Sequence, residues 1–192
     1  MSARLVLLGP PGAGKGTQAA RLAERIGAPA ISTGDIFRAN ISAGTELGRQ
    51  VQEFTSSGAL VPDELTDALV SDRLLKEDVR EGFLLDGYPR NVAQVAALEA
   101  MLAEAGVALD AVVELTADTD VVVERLLKRA EIEGRVDDTE PVIRHRLEVY
   151  REQTAPVVEV YADRHVLVSV DGLGEVEDVT DRMLTALAVQ IG

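Results

Sequence analysis

The sequence contains no cysteine and no tryptophan, and aromatic residues make up only 3% of it. Without cysteine there is no disulfide scaffold, no thiolate-ligated zinc, no iron–sulfur cluster and no thiol nucleophile. The same lack suits a reducing compartment, so the expected location is cytoplasmic. Apolar runs are short. Leu5–Leu8 is cut off by Gly9-Pro10-Pro11, and no stretch approaches the ~18 apolar residues of a membrane span or resembles a signal peptide. Basic residues are scarce as well, 19 against 33 acidic, for a net charge of −14. So acidic a surface argues against nucleic acid or an anionic membrane as partner. The charge is uneven, however. Residues 1–50 hold six Lys or Arg against three Asp or Glu, a net +3, which leaves −17 on the other 142. A small anion could therefore be held by a local cluster near the N-terminal part.

At 192 residues the chain is expected to form one domain, large enough to bury roughly 70% of its unfolded surface without a staple. Short apolar runs alternate with helical periodicity. Candidate strands are Arg4–Gly9, Ala28–Ser32, Gly82–Asp86, Ala111–Leu115 and Val166–Val170. Runs of about five mostly apolar residues fit strands buried on both faces of a parallel sheet. Helices are predicted over Lys15–Ile26, Pro62–Glu77, Asn91–Ala105, Asp118–Arg129 and Glu175–Gln190. This alternation predicts an α/β doubly wound fold. Two stretches interrupt it. A helical excursion, roughly Ser32–Glu77, is longer than one crossover needs. Ala130–Glu140 is polar and aperiodic, and reads as an exposed loop before a long helix opened by Pro141 and interrupted at Pro156.

The sharpest motif is Gly9-Pro10-Pro11-Gly12-Ala13-Gly14-Lys15-Gly16-Thr17, after a predicted strand and opening a predicted helix. Glycines let successive backbone N–H groups curl around one anion, the helix N-terminus adds positive field, and the lysine reaches terminal phosphates. It is not a dinucleotide fingerprint, because the third glycine counted from Gly12 would fall on Thr17. Gly16 stands where many phosphate loops place a Ser or Thr on magnesium, and Asn-Lys-x-Asp is missing, which disfavours a GTPase switch. A second motif, Asp86-Gly87-Tyr88-Pro89-Arg90, follows the strand Gly82–Asp86. An acid at the carboxyl end of a buried strand lies where ligands gather in such folds and can hold the waters of a magnesium ion. The third is Ser32-Thr33-Gly34-Asp35-Ile36-Phe37-Arg38, which alone is a helix start with a surface arginine.

Together with Gly58–Pro62, Gln94, Arg135-Val136-Asp137-Asp138, Arg146 and Thr154-Ala155-Pro156, these motifs resemble the nucleoside monophosphate kinases, most closely the adenylate kinases. They occur in that family's order across nearly the whole chain. The resemblance implies a five-stranded parallel core with a phosphate-binding loop, an acceptor-binding helical insertion at 32–61 and a short lid at 128–138. The implied reaction is MgATP + AMP ⇌ 2 ADP, with UMP or CMP as the alternative acceptor. Thr33 and Gln94 favour adenine. It also implies roles for individual residues. Gly12, Ala13, Gly14, Lys15, Gly16 and Thr17 would cradle the donor, with Arg129 reaching it from the lid hinge and Gly174 lining its base. Thr33, Arg38, Ala59, Leu60, Val61, Gly87, Tyr88, Pro89, Arg90 and Gln94 would hold the acceptor. Arg135 and Arg146 would clamp the transferring phosphoryl group, and Asp86 would order the magnesium waters. No zinc is expected, since His145 and His165 are not at ligand spacing with acids. The implied state is a monomer whose partners are ATP, AMP and ADP.

Overall fold

The alternating side chains of the first strand show why the sheet is covered on both sides. In the computed structural model, which describes residues 3–133 and 139–191, β1 (Arg4–Leu8) sends Leu5 and Leu7 into one apolar cluster and Val6 and Leu8 into another. The period of two is that of a strand with no solvent face. The first cluster is closed by α1 (Lys15–Ile26) and α9 (Val176–Ile191) through Ala19, Leu22, Ile26, Met183 and Leu187. The second is closed by α5 (Val92–Glu104) and α8 (Ala155–Asp163) through Val95, Leu98, Val157 and Tyr161.

With β2 (Ala30–Ser32), β3 (Phe83–Asp86), β4 (Ala111–Thr116) and β5 (Leu167–Asp171), β1 forms a five-stranded sheet ordered β2-β3-β1-β4-β5. Every pairing is parallel. The chain leaves β1 toward one edge through α1 and crosses to the other through α5, on the opposite face. The carboxyl ends of β1 and β3 thus flank the point where the winding reverses, and ligands gather at such a point. The glycine-rich loop and Asp86 stand there.

The excursion between β2 and β3 consists of α2 (Thr33–Ser42), α3 (Glu46–Ser57) and α4 (Asp63–Leu74). Ser32 and Thr45 cap the first two, accepting from the amides of Asp35 and Gly48. Phe37, Val51 and Val61 form a small core of their own. Farther on, α6 is Thr119–Glu133 and α7 is Glu140–Val149. The expected loop over Ala130–Glu140 is thus corrected at its start, because α6 runs one turn past Arg129. Pro141 does sit in the first turn of α7. Pro156 interrupts as expected. Tyr150–Thr154 widens into a π-helical turn before Ala155, since proline offers no N–H to the preceding turn.

Candidate active site

The loop that follows β1 ends in Gly14, whose φ of 94° places it in the left-handed region just before α1. No side chain caps that helix, so its first-turn amides keep their capacity for an anion. Gly12 is held more tightly. At its φ of 84° a Cβ would stand 2.9 Å from the Val122 carbonyl oxygen and the Leu126 side chain, so α6 packs directly on the loop. Lys15 folds back over its own turn and donates to the carbonyl oxygens of Gly9, at 2.7 Å, and Pro10, at 3.0 Å.

Above this loop opens a cavity of about 630 Å³. Gly12–Thr17, Arg38, Asp86, Gly87, Arg90, Arg129, Arg146 and Gly174 line it. A second cavity of about 60 Å³ is lined by Thr33, Ala59, Leu60, Val61 and Gln94 and shares Arg38, Gly87, Arg90 and Arg146 with the first. The two meet at the arginines. Tyr88 and Pro89 line neither. They border a third, of about 70 Å³, and the fully buried Tyr88 belongs to the core and donates its hydroxyl to Asp67 at 2.7 Å. Arg135 lies outside the described residues.

The electrostatics invite an anion. Burial pushes the Lys15 ammonium down to about 8, and the like charges of Arg90, Arg146 and Arg129 push the same way against Asp86. Burial also lowers Arg90 to about 10, with Arg146 adding to it, so its guanidinium stays charged at neutral pH. Asp86, 8% exposed, is raised by burial while Lys15 and Arg90 hold it down. A cation cluster desolvated inside an acidic chain gains most from a polyanionic ligand.

The residues around the smaller cavity are fixed by hydrogen bonds. Thr33 Oγ1 and Arg90 Nε both donate to the Gly87 carbonyl oxygen, at 3.0 and 2.8 Å. The Arg90 amide donates to Gln94 Oε1 at 2.8 Å. Arg38 pairs with Asp35 one turn earlier on α2, at 2.5 Å. Sequence reasoning missed Arg125, which lines the large cavity beside Arg129. Its signal was the spacing of four on α6, which puts both on one helix face. Among the described residues no group of three or more His, Asp or Glu is placed to enclose a metal. Of the two carboxylates that line the large cavity, Asp35 pairs with Arg38, and Asp86 suits a hydrated magnesium, which keeps most of its waters.

The family model for adenylate kinase matches residues 7–166. The chain belongs to the adenylate kinase family. Similarity to members named adenylate kinase is high and spans nearly the full length. The chain is 64% identical to that of Kocuria rhizophila over 184 residues, covering 96% of this chain and 98% of the relative. It is 58% identical to that of Thermobifida fusca, over 96% and 97% of the two chains. With the Clavibacter michiganensis protein it shares 58% over 185 residues, 96% of this chain and 92% of that one. The family is therefore matched by a nucleotide-kinase fold and by a cavity whose cations come from separate segments of the chain. Among the described residues no helix is long and apolar enough to cross a membrane.

Proposed function

We propose that the chain transfers the terminal phosphoryl group of MgATP to AMP, reversibly, giving two ADP. The observation that carries this reading is the convergence of Lys15, Arg38, Arg90, Arg129 and Arg146 where a phosphate-loop cavity meets a smaller one holding Thr33 and Gln94. Two nucleotides could enter from opposite sides with their phosphates pointing inward. The relatives reported above are all named adenylate kinase, and none favours a UMP or CMP acceptor.

The chemistry needs no side-chain nucleophile, because an oxygen of the acceptor's phosphate attacks. Catalysis is in-line positioning and charge stabilisation. In this reading the amides of Gly12–Thr17 hold the donor phosphates and Lys15 leaves its loop carbonyls for the transferred group. Arg38 and Arg90 hold the acceptor phosphate. Arg129 and Arg146, with Arg135, spread their charge over the phosphoryl group in flight. Gly174 borders the donor base, while Thr33, Gln94 and the Ala59–Val61 backbone take the acceptor nucleoside. Asp86 would accept hydrogen bonds from the water shell of the magnesium that arrives with ATP, whose charge neutralises the phosphates. Segments 32–61 and 128–138, the latter lying in part outside the described residues, would close as acceptor-binding part and lid, since water admitted to an open site would compete for the phosphoryl group. The reading extends to a cytoplasmic monomer, as the family resemblance implies.

The test is a coupled assay offering ATP with AMP, UMP, CMP or GMP in turn. AMP should be the preferred acceptor, because a site built to hydrogen-bond its substrate rejects one lacking those groups by up to ~10⁴ or more. UMP turnover equal to AMP turnover would overturn the reading.

A further inference from the structure

Asp63, in the first turn of α4, ties the helical excursion to the start of α5. Its Oδ1 accepts two hydrogen bonds, from Asn91 Nδ2 at 2.9 Å and from Gln94 Nε2 at 2.8 Å. The other ends of those two amides are also taken. Asn91 Oδ1 accepts from the Gln94 backbone N–H at 2.8 Å, and Gln94 Oε1 accepts from the Arg90 backbone N–H at 2.8 Å. A backbone N–H can only donate, so both amide oxygens must face the backbone and both NH₂ groups must face Asp63. Flipping Gln94 would set NH₂ against N–H at one end and oxygen against carboxylate at the other.

Gln94 is buried, at 2% exposed, and lines the smaller cavity. After these bonds its amide retains one N–H and one lone pair. Their order in space is set by the lock. Adenine presents, side by side on one edge, an exocyclic N–H donor and a ring-nitrogen acceptor. Hypoxanthine, with nearly the same outline, presents an oxygen acceptor and a ring N–H donor instead. An amide held one way matches the first and opposes the second. An amide free to flip could match either.

We propose that Asp63 is a positioning residue for base choice: with the Arg90 N–H at the other end, it holds the Gln94 amide in one orientation and makes the acceptor site select a 6-amino purine over a 6-oxo purine. This rests on Gln94 reading the acceptor base. Asp63→Leu removes the acceptor and leaves two amide NH₂ groups unmatched. The preference for AMP over IMP in kcat/KM should then fall roughly tenfold, the scale of one misplaced buried hydrogen bond. KM for AMP should rise while KM for ATP stays put. Asp63→Asn should restore the preference, because its amide oxygen can accept the same two bonds without the charge.

A Leu variant with unchanged AMP-over-IMP preference would overturn the proposal. So would loss in Leu and Asn alike, which would point to the helix-end charge. Equal losses toward AMP and IMP with a lowered melting temperature would assign Asp63 a merely structural role. Gln94→Leu separates the underlying reading. If that variant keeps full AMP preference, the base-reading role of Gln94 fails and the lock with it. If it loses preference while Asp63→Leu does not, only the lock fails. Independently of any variant, the Gln94 side-chain proton bonded to Asp63 should exchange slowly with solvent by NMR. Fast exchange would show that the amide is not held.

Discussion

Thr154 donates its hydroxyl to the carbonyl oxygen of Arg90 at 2.7 Å, although the two lie 64 residues apart in the chain. Thr154 is the last residue of the π-helical turn, 7% exposed, in the segment that joins Arg146-bearing α7 to α8. Arg90 is tied at two more points, its amide to Gln94 and its Nε to Gly87. The widened turn that Pro156 imposes thus reaches across and sets the height of an arginine facing the cavity.

The consequence can be measured. Thr154→Val keeps the shape and removes the donor, leaving the part-buried Arg90 carbonyl without that bond. Turnover should fall about tenfold and KM for AMP should rise if Arg90 holds the acceptor phosphate as proposed, since small displacements of such a group are costly. Thr154→Ser should behave like the parent. Normal turnover in the Val variant would sever the link between the turn and the site.

Local chemistry made some of these features legible in the sequence and left others hidden. The ends of α1 are those expected because Gly14 and Gly27, both at positive φ, punctuate it. β2 begins at Ala30 rather than Ala28, since Pro29 has no N–H for the ladder and offers only its carbonyl, to the Leu84 amide. The extra turn of α6 escaped because its one large apolar residue faces solvent. Ile132 is 73% exposed, so the turn has no apolar period to read. The phosphate loop was legible because its function is local: one turn of backbone makes the cradle. The lock of Asp63 on Gln94 spans 31 residues and the tie of Thr154 to Arg90 spans 64. Nothing in either segment's own pattern announces such partners.

Lys15 supplies a prediction about protons. In the ligand-free protein burial holds its ammonium at about 8, so near pH 8 about half the molecules carry it neutral. A polyphosphate beside it favours the charged form and raises that value. Binding of MgATP at pH 8 should therefore take up protons, and affinity should weaken as pH climbs above 8. At pH 6.5 the lysine is already charged and adds no uptake. Calorimetric titration at pH 8 in two buffers of different ionisation enthalpy reads the uptake directly. The Lys15→Met variant should abolish it. No difference between buffers at pH 8 would mean that Lys15 is not the group meeting the phosphates.

The meeting of the two cavities leads to the last expectation. The large one contains the phosphate loop with Lys15, and the small one contains Thr33 and Gln94. Arg38, Arg90 and Arg146 border both. These cations can converge on a single phosphate chain only if donor and acceptor point their phosphates at each other. One molecule joining two adenosines through five phosphates should then occupy both cavities at once. It loses translational and rotational freedom once instead of twice, so it should bind more tightly than ATP or AMP alone. Because it binds only the folded chain, it should also raise the melting temperature in a concentration-dependent way. Calorimetric titration should give one equivalent per chain. Two independent equivalents, or affinity no better than that of ATP, would mean that the cavities do not open onto a common phosphate path.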